Sequence, residues 1–481
     1  MDLVSSVFGS IAHWVDIQSL LLFTVLFLLI ADYLKTRRPS SFPPGPWALP
    51  FVGNIFTVDF NRAHKTLTQV QHHRLDVKLS NCTYGDVYSL RMGQTWMVVL
   101  NGFQIVKEAL VTQGDSTCLL HPDITSRSLR SCDQGLIFSN GHLWKQQRRF
   151  SLSTLKYFGV GRKSLELAIL DEFTYSGKSI ADLKGKPFNP HLIINNAVSN
   201  MICSLIVGHR FEYEDERFIK LIKRFDSALQ SATSIWAQLY NAFPFSFGVK
   251  DMIRSEIKQH KKDWNPAEPR DYIDCYLMEI QMRKGDAEST FSEENLVICA
   301  LDLFVAGSET TSTTLRWAFL YMAKYPEIQE KVQAEIDRVI GQSRKPSMMD
   351  RANLPYTDAV IHEIQRMGNI VPLSLRHTYH TSYTILYLNQ EWETPYTFNP
   401  GHFLNEEGKF VKRAAFIPFS AGKRVCLGEN LARMEIFLFF TSFMQRFTIS
   451  VPAGTKLVLD FCFGFTLARA PYEICATLCR E

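Results

Sequence analysis

The chain has 481 residues, of which 46% are hydrophobic and 21% are charged, a composition that excludes an intrinsically disordered protein and allows a large hydrophobic core. Its 52 basic and 48 acidic residues nearly balance, so the formal net charge of +4 gives no sign of a nucleic-acid partner. The ten cysteines show no disulfide-framework spacing, which indicates a reducing compartment.

The N-terminus carries an apolar segment, from Ile17 to Leu34, that is about long enough to cross a bilayer. Three basic residues follow it directly: Lys35, Arg37 and Arg38. A cleaved signal peptide would carry its basic residues before the apolar run, so this order favours a retained anchor. The positive-inside rule then places the rest of the chain in the cytosol. We therefore predict a membrane anchor over residues 1–38.

A proline-rich segment, residues 39–47, follows the anchor and suits a stiff spacer. Residues 48–481 contain no second linker and no internal repeat, which predicts one domain. Helical periodicity dominates this domain, and short β-like runs occur at Val87 to Leu90, Trp96 to Leu100 and Thr381 to Leu388. The predicted fold class is mainly α with small β-sheets.

A long helix is predicted to begin after Ser292, a suitable N-cap, and to end before Pro326. At 1.5 Å per residue it would be roughly 50 Å long, so it would cross a large domain and should be apolar on nearly all sides. The run from Ala306 to Thr314 breaks this pattern with a glycine, an acid and several hydroxyls. It indicates either a functional groove or a solvated kink whose hydroxyls bond back to helix carbonyls.

A second helix is predicted to begin after Pro355 and holds Glu363 and Arg366. Their i, i+3 spacing places both side chains on one face of the helix, where they can pair. Such a pair is usually a solvated surface pair that contributes little to stability.

The segment that begins at Phe419 carries the strongest chemical signal. It holds Cys426 directly before a predicted apolar helix, and Gly422 and Gly428 let the backbone turn tightly around the cysteine. The amides and dipole at the start of that helix would favour the thiolate form. A thiolate so held is a good axial ligand for haem iron, and Arg424 is placed to meet a haem propionate. The alternative is a buried cysteine with a purely structural role.

These motifs together resemble the cytochrome P-450 superfamily, whose haem loop has the pattern F-x-x-G-x-R-x-C-x-G. The resemblance extends over the whole body and includes an oxygen-activating helix motif at Ala306–Thr311, an E-x-x-R motif at Glu363 and Arg366, a W-x-x-x-R motif at Trp144 and Arg148, and a meander motif at Phe398–Phe403. It implies the cytochrome P-450 fold in a single domain behind an N-terminal transmembrane helix.

The resemblance implies haem b as the cofactor, with Cys426 as the axial ligand of the iron. The residues implied to contact the haem are Trp144, Arg148, Arg376, Phe419 and Arg424. Electrons would come from NADPH through NADPH–cytochrome reductase, with cytochrome b5 as a further candidate partner. The implied activity is that of a monooxygenase, which inserts one oxygen atom into a lipophilic substrate and releases the other as water.

The resemblance also gives roles to residues around the haem. Glu309 and Thr310 would deliver protons to bound dioxygen, and Gly307 would open the groove in which oxygen sits. His402 stands where many relatives carry arginine and would complete the network of the E-x-x-R pair.

Within the superfamily the chain most resembles microsomal family 2, and subfamily J in particular, on stretches that begin at Leu315 and Pro326. This implies the endoplasmic reticulum membrane, with the catalytic domain in the cytosol. It implies hydroxylation or epoxidation of polyunsaturated fatty acids such as arachidonic acid, and of xenobiotics. Substrate contacts are predicted for Phe304, Ala306 and Val371.

Two segments are shorter than the resemblance leads us to expect, at about 241–257 and 376–395. The second should contain strands beside the substrate, and their loss would leave unpaired sheet edges. An alternative function is therefore a haem-binding but catalytically impaired membrane protein. A third candidate is an isomerase or synthase that needs no external electrons; the Glu309–Thr310 pair argues against it, because proton delivery matters only when dioxygen is reduced.

Overall fold

The structure is a computed structural model, and it describes residues 17–38, 40, 42–59, 62–63, 65–67, 84–93, 95–113, 134–231, 245–372, 381–383, 391–455, 457, 459, 461–463 and 466–479. Arg376, residues 241–244 of the first shortened segment and most of the second lie outside these residues. The same holds for the part of the predicted run Thr381 to Leu388 that follows Tyr383.

Helices form most of the described chain. They are α1 (Ile17–Thr36), α2 (Phe103–Lys107), α3 (Gly141–Tyr157), α4 (Lys163–Ala181), α5 (His191–Ile206), α6 (Glu216–Ser231), α7 (Phe245–Asp263), α8 (Tyr272–Met282), α9 (Glu293–Lys324), α10 (Pro326–Val339), α11 (Pro355–Gly368) and α12 (Glu429–Arg446). Short 3-10 turns occur between them at Ile55–Thr57, Met348–Asn353, Pro400–Phe403 and Gly422–Arg424, and a π turn, Glu108–Thr112, follows α2.

Three small sheets accompany the helices. The strands are β1 (Val87–Met92), β2 (Thr95–Leu100), β3 (Thr381–Tyr383), β4 (Phe447–Ser450), β5 (Phe461–Phe463), β6 (Leu467–Arg469) and β7 (Cys475–Leu478). In the first sheet β1 and β2 form an antiparallel hairpin, and β3 pairs with β2 in parallel so that Val98 lies opposite Thr381. The antiparallel pairs β4–β7 and β5–β6 complete the set. The prediction of a mainly α fold with small sheets is confirmed.

The long helix α9 runs through the centre of the domain. The Ser292 hydroxyl caps it by accepting the Asn295 amide at 3.2 Å, and the helix ends at Lys324, two residues before Pro326, as the sequence predicts. Proline cannot continue a helix that precedes it, so α10 starts afresh there. Around α9 lies the main hydrophobic core, to which α4, α5 and α12 contribute most. Each large apolar side chain buried there contributes roughly 1.5–3 kcal/mol to stability.

Within the part of the chain that the structure describes, two helices are long and apolar enough to cross a membrane. One is α9, whose central position in the core explains its apolar character. The other is α1, which is almost entirely exposed and lies next to the N-terminus. Of the two, α1 therefore fits the predicted membrane anchor.

Candidate active site

The loop before α12 has a geometry that only glycine permits at one position. Gly422 has a φ of +72°, and a Cβ at this residue would lie 1.9 Å from the Leu110 carbonyl oxygen. The loop therefore packs directly on the backbone of the turn after α2. The Cys426 amide donates to the Phe419 carbonyl at 2.9 Å, which closes the turn and places the cysteine two residues before Gly428, the N-cap of α12.

The Cys426 side chain is exposed, although protein atoms surround it on most sides, so it opens into a recess. Burial raises the pKa of its thiol; the Gly428 amide lowers it, the Glu429 carboxylate raises it and the Arg148 guanidinium lowers it. The net effect in the haem-free chain is a raised pKa, so the helix amide alone does not account for a thiolate. A metal ion that binds sulfur deprotonates it, so iron itself would have to displace the proton.

Two arginines and a tryptophan lie beside this loop. Arg148, on α3, donates from Nη2 to the Val425 carbonyl at 2.6 Å. The Arg424 guanidinium lies over the Trp144 ring, 3.9 Å from its centre, and donates to the Ser139 carbonyl at 2.8 Å. The structure thus brings Trp144, Arg148, Arg424 and Cys426 together, as the sequence motifs predict.

The remaining haem-loop residue of the predicted set, Phe419, is also placed here. The Arg433 guanidinium stacks on its ring at 4.9 Å. Arg376, the last member of that set, lies outside the described residues.

One face of α9 remains accessible inside the domain. The Thr310 hydroxyl donates to the Ala306 carbonyl at 2.7 Å, and both residues are only partly buried, while the neighbouring Ser308 and Glu309 are buried. The helix is continuous through this region. Its hydroxyls donate to carbonyl oxygens of the same helix, which is the hydrogen bonding that the second of the two interpretations of this run predicted.

Gly307 lies where α9 meets α5. A Cβ at this position would lie 2.5 Å from Cδ1 of Ile202 on α5. The glycine therefore allows α5 and α9 to pack closely, and its predicted part in an oxygen groove stays a prediction. The accessible face is the one that carries Ala306 and Thr310.

Glu309 is buried and already has hydrogen-bond donors. Its Oε1 accepts from the Thr313 hydroxyl at 3.0 Å and from the Thr466 hydroxyl at 2.6 Å. Thr313 in turn accepts from Arg316 at 2.9 Å. The contribution of Thr466 could not be read from the sequence, because it comes from a hairpin more than a hundred residues away.

The E-x-x-R pair is buried, so the usual reading of such a spacing as a surface pair is wrong here. Arg366 donates from Nε and Nη2 to the two oxygens of Glu363, both at 2.7 Å, and from Nη1 to the Pro395 carbonyl at 2.8 Å. His402 accepts the Thr394 amide on Nε2, so its Nδ1 proton faces the Glu363 carboxylate at 3.3 Å.

The predicted substrate contacts fall in different surroundings. Ala306 lies on the accessible face of α9, and Val371, just after α11, is partly buried. Phe304 is only 2% exposed and belongs to the main core, so the structure does not support it as a substrate contact.

A buried acid on α12 was not identified from the sequence. Burial raises the pKa of Glu435 to about 8, although a hydrogen bond from Thr311 lowers it, and its Oε1 has no partner among the described residues. The sequence feature that could have identified Glu435 is a carboxyl residue within an apolar stretch of helix. Its contact ties α12 to α9 one residue from Thr310.

The arrangement fits a haem. The accessible Cys426 thiol could serve as the iron ligand, the guanidinium groups of Arg148 and Arg424 could meet the propionates, and the partly exposed Ala306–Thr310 face of α9 could form a wall of the substrate cavity. The packing of α12 on α9 fixes the thiol and this wall relative to each other. The fold and the site together define a haem-thiolate oxygenase.

Comparisons with known proteins agree. The cytochrome P450 family model matches residues 43–386 and 380–476. Cytochrome P450 2J2 of Homo sapiens is 48% identical over 95% of this chain and 96% of its own length, and cytochrome P450 2J1 of Oryctolagus cuniculus is 47% identical over 98% of each. Cytochrome P450 2D20 of Mesocricetus auratus is 41% identical. The chain belongs to the cytochrome P450 family.

Family membership makes the chain a haem-thiolate monooxygenase, which receives electrons from NADPH through a reductase and acts on lipophilic substrates. The matches also bear on the shortened segments. The two parts of the family match meet at residues 380–386, inside the second segment. The alignment to the human relative covers 492 positions, more than the 481 residues of this chain, so it contains gaps in this chain.

Proposed function

We propose that this chain is a microsomal monooxygenase that hydroxylates or epoxidises polyunsaturated fatty acids such as arachidonic acid, and also oxidises xenobiotics. The observation that carries the proposal is the accessible Cys426 thiol in a loop that Arg148 and Arg424 flank, together with the partly exposed Ala306–Thr310 side of α9. The similarity to relatives named as 2J enzymes supports the substrate class.

In this proposal Cys426 binds the haem iron, and Arg148, Arg424 and Trp144 hold the propionates, with Arg376 as a further contact. Phe419 closes the loop through its carbonyl, which accepts the Cys426 amide. When bound, haem supplies the activation of dioxygen that side chains alone cannot provide. The chain supplies the thiolate ligand, the orientation of the haem and a dry cavity for the substrate.

Protons reach the site through hydroxyl and carboxyl groups of α9. The Thr310 hydroxyl holds its proton at Oγ1 against the Ala306 carbonyl and can redirect it toward the cavity. Glu309 lies behind it, and only one of its two carboxylate oxygens carries the Thr313 and Thr466 hydrogen bonds. Rotation of Glu309 away from Thr466 would let it reload Thr310 through a water molecule.

The membrane anchor spans residues 1–38, the hinge 39–47 and the catalytic domain 48–481, with the domain on the cytosolic face of the endoplasmic reticulum. A reductase, and cytochrome b5 as a second electron donor, would dock near the haem loop. Exposed basic residues on α3 and on that loop support this choice, because they complement an acidic partner: Lys145, Arg149 and Lys423.

A second candidate is a haem protein with impaired turnover. The division of the family match into two parts at residues 380–386 favours it, because it lies in the shortened segment that should contain strands beside the substrate. Against it, the chain after this segment is held in place by α11. The Pro395 and Thr397 carbonyls accept hydrogen bonds from Arg366 at 2.8 and 3.1 Å.

Turnover separates the two candidates. The full chain, reconstituted in lipid with haem, reductase and arachidonic acid, should form hydroxylated or epoxidised products only when NADPH is present. Haem binding without any product from fatty acids or from a panel of xenobiotics would favour the impaired protein. Product formation that ignores NADPH would instead indicate an isomerase or synthase.

A further inference from the structure

The last turns of α1 are attached to the catalytic domain. Asp32 and Thr36 lie one turn apart on the same helix face and are both buried, although the rest of the helix is almost entirely exposed. Polar residues near the end of a membrane helix are costly unless they find partners. The partner of this face is the first sheet.

Arg91, on β1, joins the two buried residues. Its guanidinium donates to Asp32 Oδ2 at 3.2 Å, to the Thr36 hydroxyl, and to the Leu49 carbonyl at 2.8 Å. The side chains of Arg91 and Asp32 are 5% and 6% exposed, so the ion pair is shielded from water and salt. The Trp96 indole, on β2, donates to the Thr36 carbonyl at 2.8 Å. We call this set of contacts the anchor clamp.

The clamp also fixes the loop between the hinge and β1. The Phe51 amide donates to Asp32 Oδ2 at 2.9 Å. Asn54 donates to the Trp47 carbonyl at 2.8 Å and accepts the Arg91 amide at 2.9 Å. The loop is therefore tied both to the anchor and to the sheet.

Three aromatic side chains of this loop point away from the protein. Trp47, Phe51 and Phe56 are 78%, 48% and 73% exposed. The Phe51 amide is bonded to Asp32, which lies one helical turn, or roughly 6 Å, before the end of the anchor at Thr36, so the backbone that carries the Phe51 ring lies close to the end of the anchor. The basic residues Lys35, Arg37 and Arg38 follow and are exposed.

We propose that Trp47, Phe51 and Phe56 form an aromatic patch that inserts into the interfacial layer of the bilayer, and that the Asp32–Arg91 clamp holds it at that depth. Aromatic rings favour the boundary between headgroups and acyl chains, and basic residues favour anionic headgroups just outside it. The anchor and the patch together fix the orientation of the catalytic domain on the membrane. In this proposal the hinge, residues 39–47, does not let the anchor and the catalytic domain move independently.

Lipid-borne quenchers test this directly. The full chain is placed in phosphatidylcholine vesicles whose acyl chains carry bromine either near the headgroup or near the bilayer centre. The chain has eight tryptophans, so the signal of Trp47 is obtained as the difference from the Trp47→Phe variant. We expect this difference emission to lose most of its intensity with the shallow bromines and much less with the deep ones.

The clamp is tested in the same assay with Arg91→Gln and Asp32→Asn, which should abolish the quenching of Trp47. Arg344→Gln, which breaks a distant ion pair with Asp350, is the matched control and should leave it unchanged. The carbon monoxide spectrum of the reduced protein shows whether each variant is folded. Should both clamp variants misfold, the unmodified chain still decides: an unquenched Trp47, or one reached by aqueous iodide instead, would overturn the proposal. Unchanged quenching in folded clamp variants would overturn the role of the clamp.

Discussion

The Glu363–Arg366–His402 network and the loop around Cys426 differ in how their charges are satisfied. Each oxygen of Glu363 accepts from Arg366, and the remaining guanidinium hydrogen bonds end on backbone carbonyls. All three side chains are buried. Around Cys426 the thiol faces a recess, and the described hydrogen bond of Arg148 ends on the backbone carbonyl of Val425.

The difference separates residues that stabilise the fold from residues that serve haem binding and catalysis. The closed network stabilises the fold because every polar group in it has a partner, and removing one leaves a buried charge. The cysteine loop holds a thiol that opens into a recess, and the guanidinium groups of Arg148 and Arg424 lie beside the same loop. Substitutions in the first region should therefore change folding, whereas those in the second should change haem binding or turnover.

The largest effect is expected for Glu363→Ala. It leaves the Arg366 guanidinium buried with no carboxylate, which costs about 3–5 kcal/mol of the free energy of unfolding. Denaturant unfolding of the full chain in detergent measures this loss. The control is Glu407→Ala, which removes an exposed pair with Lys409 and should cost less than about 1 kcal/mol. Equal losses in the two variants would contradict the structural role of the network.

Thr310→Ala should reduce product formation about 100-fold, the typical contribution of a positioned proton donor. NADPH consumption should fall much less, because electrons would then be lost to peroxide. Thr314→Ala is the matched control, since the Thr314 hydroxyl also bonds back to a carbonyl of α9, that of Thr310, but the residue is buried. A Thr310 variant in which product and NADPH consumption fall together would count against proton delivery.

Arg424→Gln should weaken haem binding by about 1.5–3 kcal/mol, the value of a hydrogen bond to a charged group. The rate of haem transfer to apomyoglobin measures it. Arg217→Gln, on the exposed side of α6, should leave that rate unchanged. If the Arg424 variant instead lowers the free energy of unfolding of the haem-free chain by a similar amount, about 1.5–3 kcal/mol, Arg424 stabilises the fold and does not bind haem.

The smallest effect concerns a second closed pair, His260 and Asp271. Burial disfavours the charged imidazole, but the hydrogen bond and charge of Asp271 raise the pKa of His260 above its ordinary value. A raised folded-state pKa means that the stabilisation is complete below pH 6.5 and is lost as pH rises through the folded pKa. We expect His260→Gln to remove about 1 kcal/mol at low pH and progressively less at higher pH. A pH-independent difference between the two proteins would refute the charge pairing.

Much of the architecture follows from local signals in the sequence. The boundaries of α9 were predictable because Ser292 and Pro326 act through neighbouring backbone, and the β1 and β2 runs were predictable from their apolar residues. The cysteine loop was predictable because its glycines, arginine and cysteine are contiguous.

Contacts between distant segments were not predictable. Burial of the Glu363–Arg366 pair depends on carbonyls near Pro395, and the role of Gly307 depends on Ile202 of another helix. The burial that raises the pKa of the Cys426 thiol also comes from distant segments, whereas the Gly428 amide that lowers it is adjacent in the sequence. Neither the anchor clamp nor the buried acid Glu435 has a local pattern that identifies it.

The central claim is that Cys426 binds the haem iron, and the carbon monoxide difference spectrum of the reduced protein tests it most directly, because the Soret band reports the ligand opposite carbon monoxide. The full chain and Cys475→Ser, which changes a cysteine on β7, should both give the strongly red-shifted band of a thiolate ligand. Cys426→Ser should lose that band. A red-shifted band that survives in Cys426→Ser, or one that is missing from the unmodified chain loaded with haem, would contradict the account.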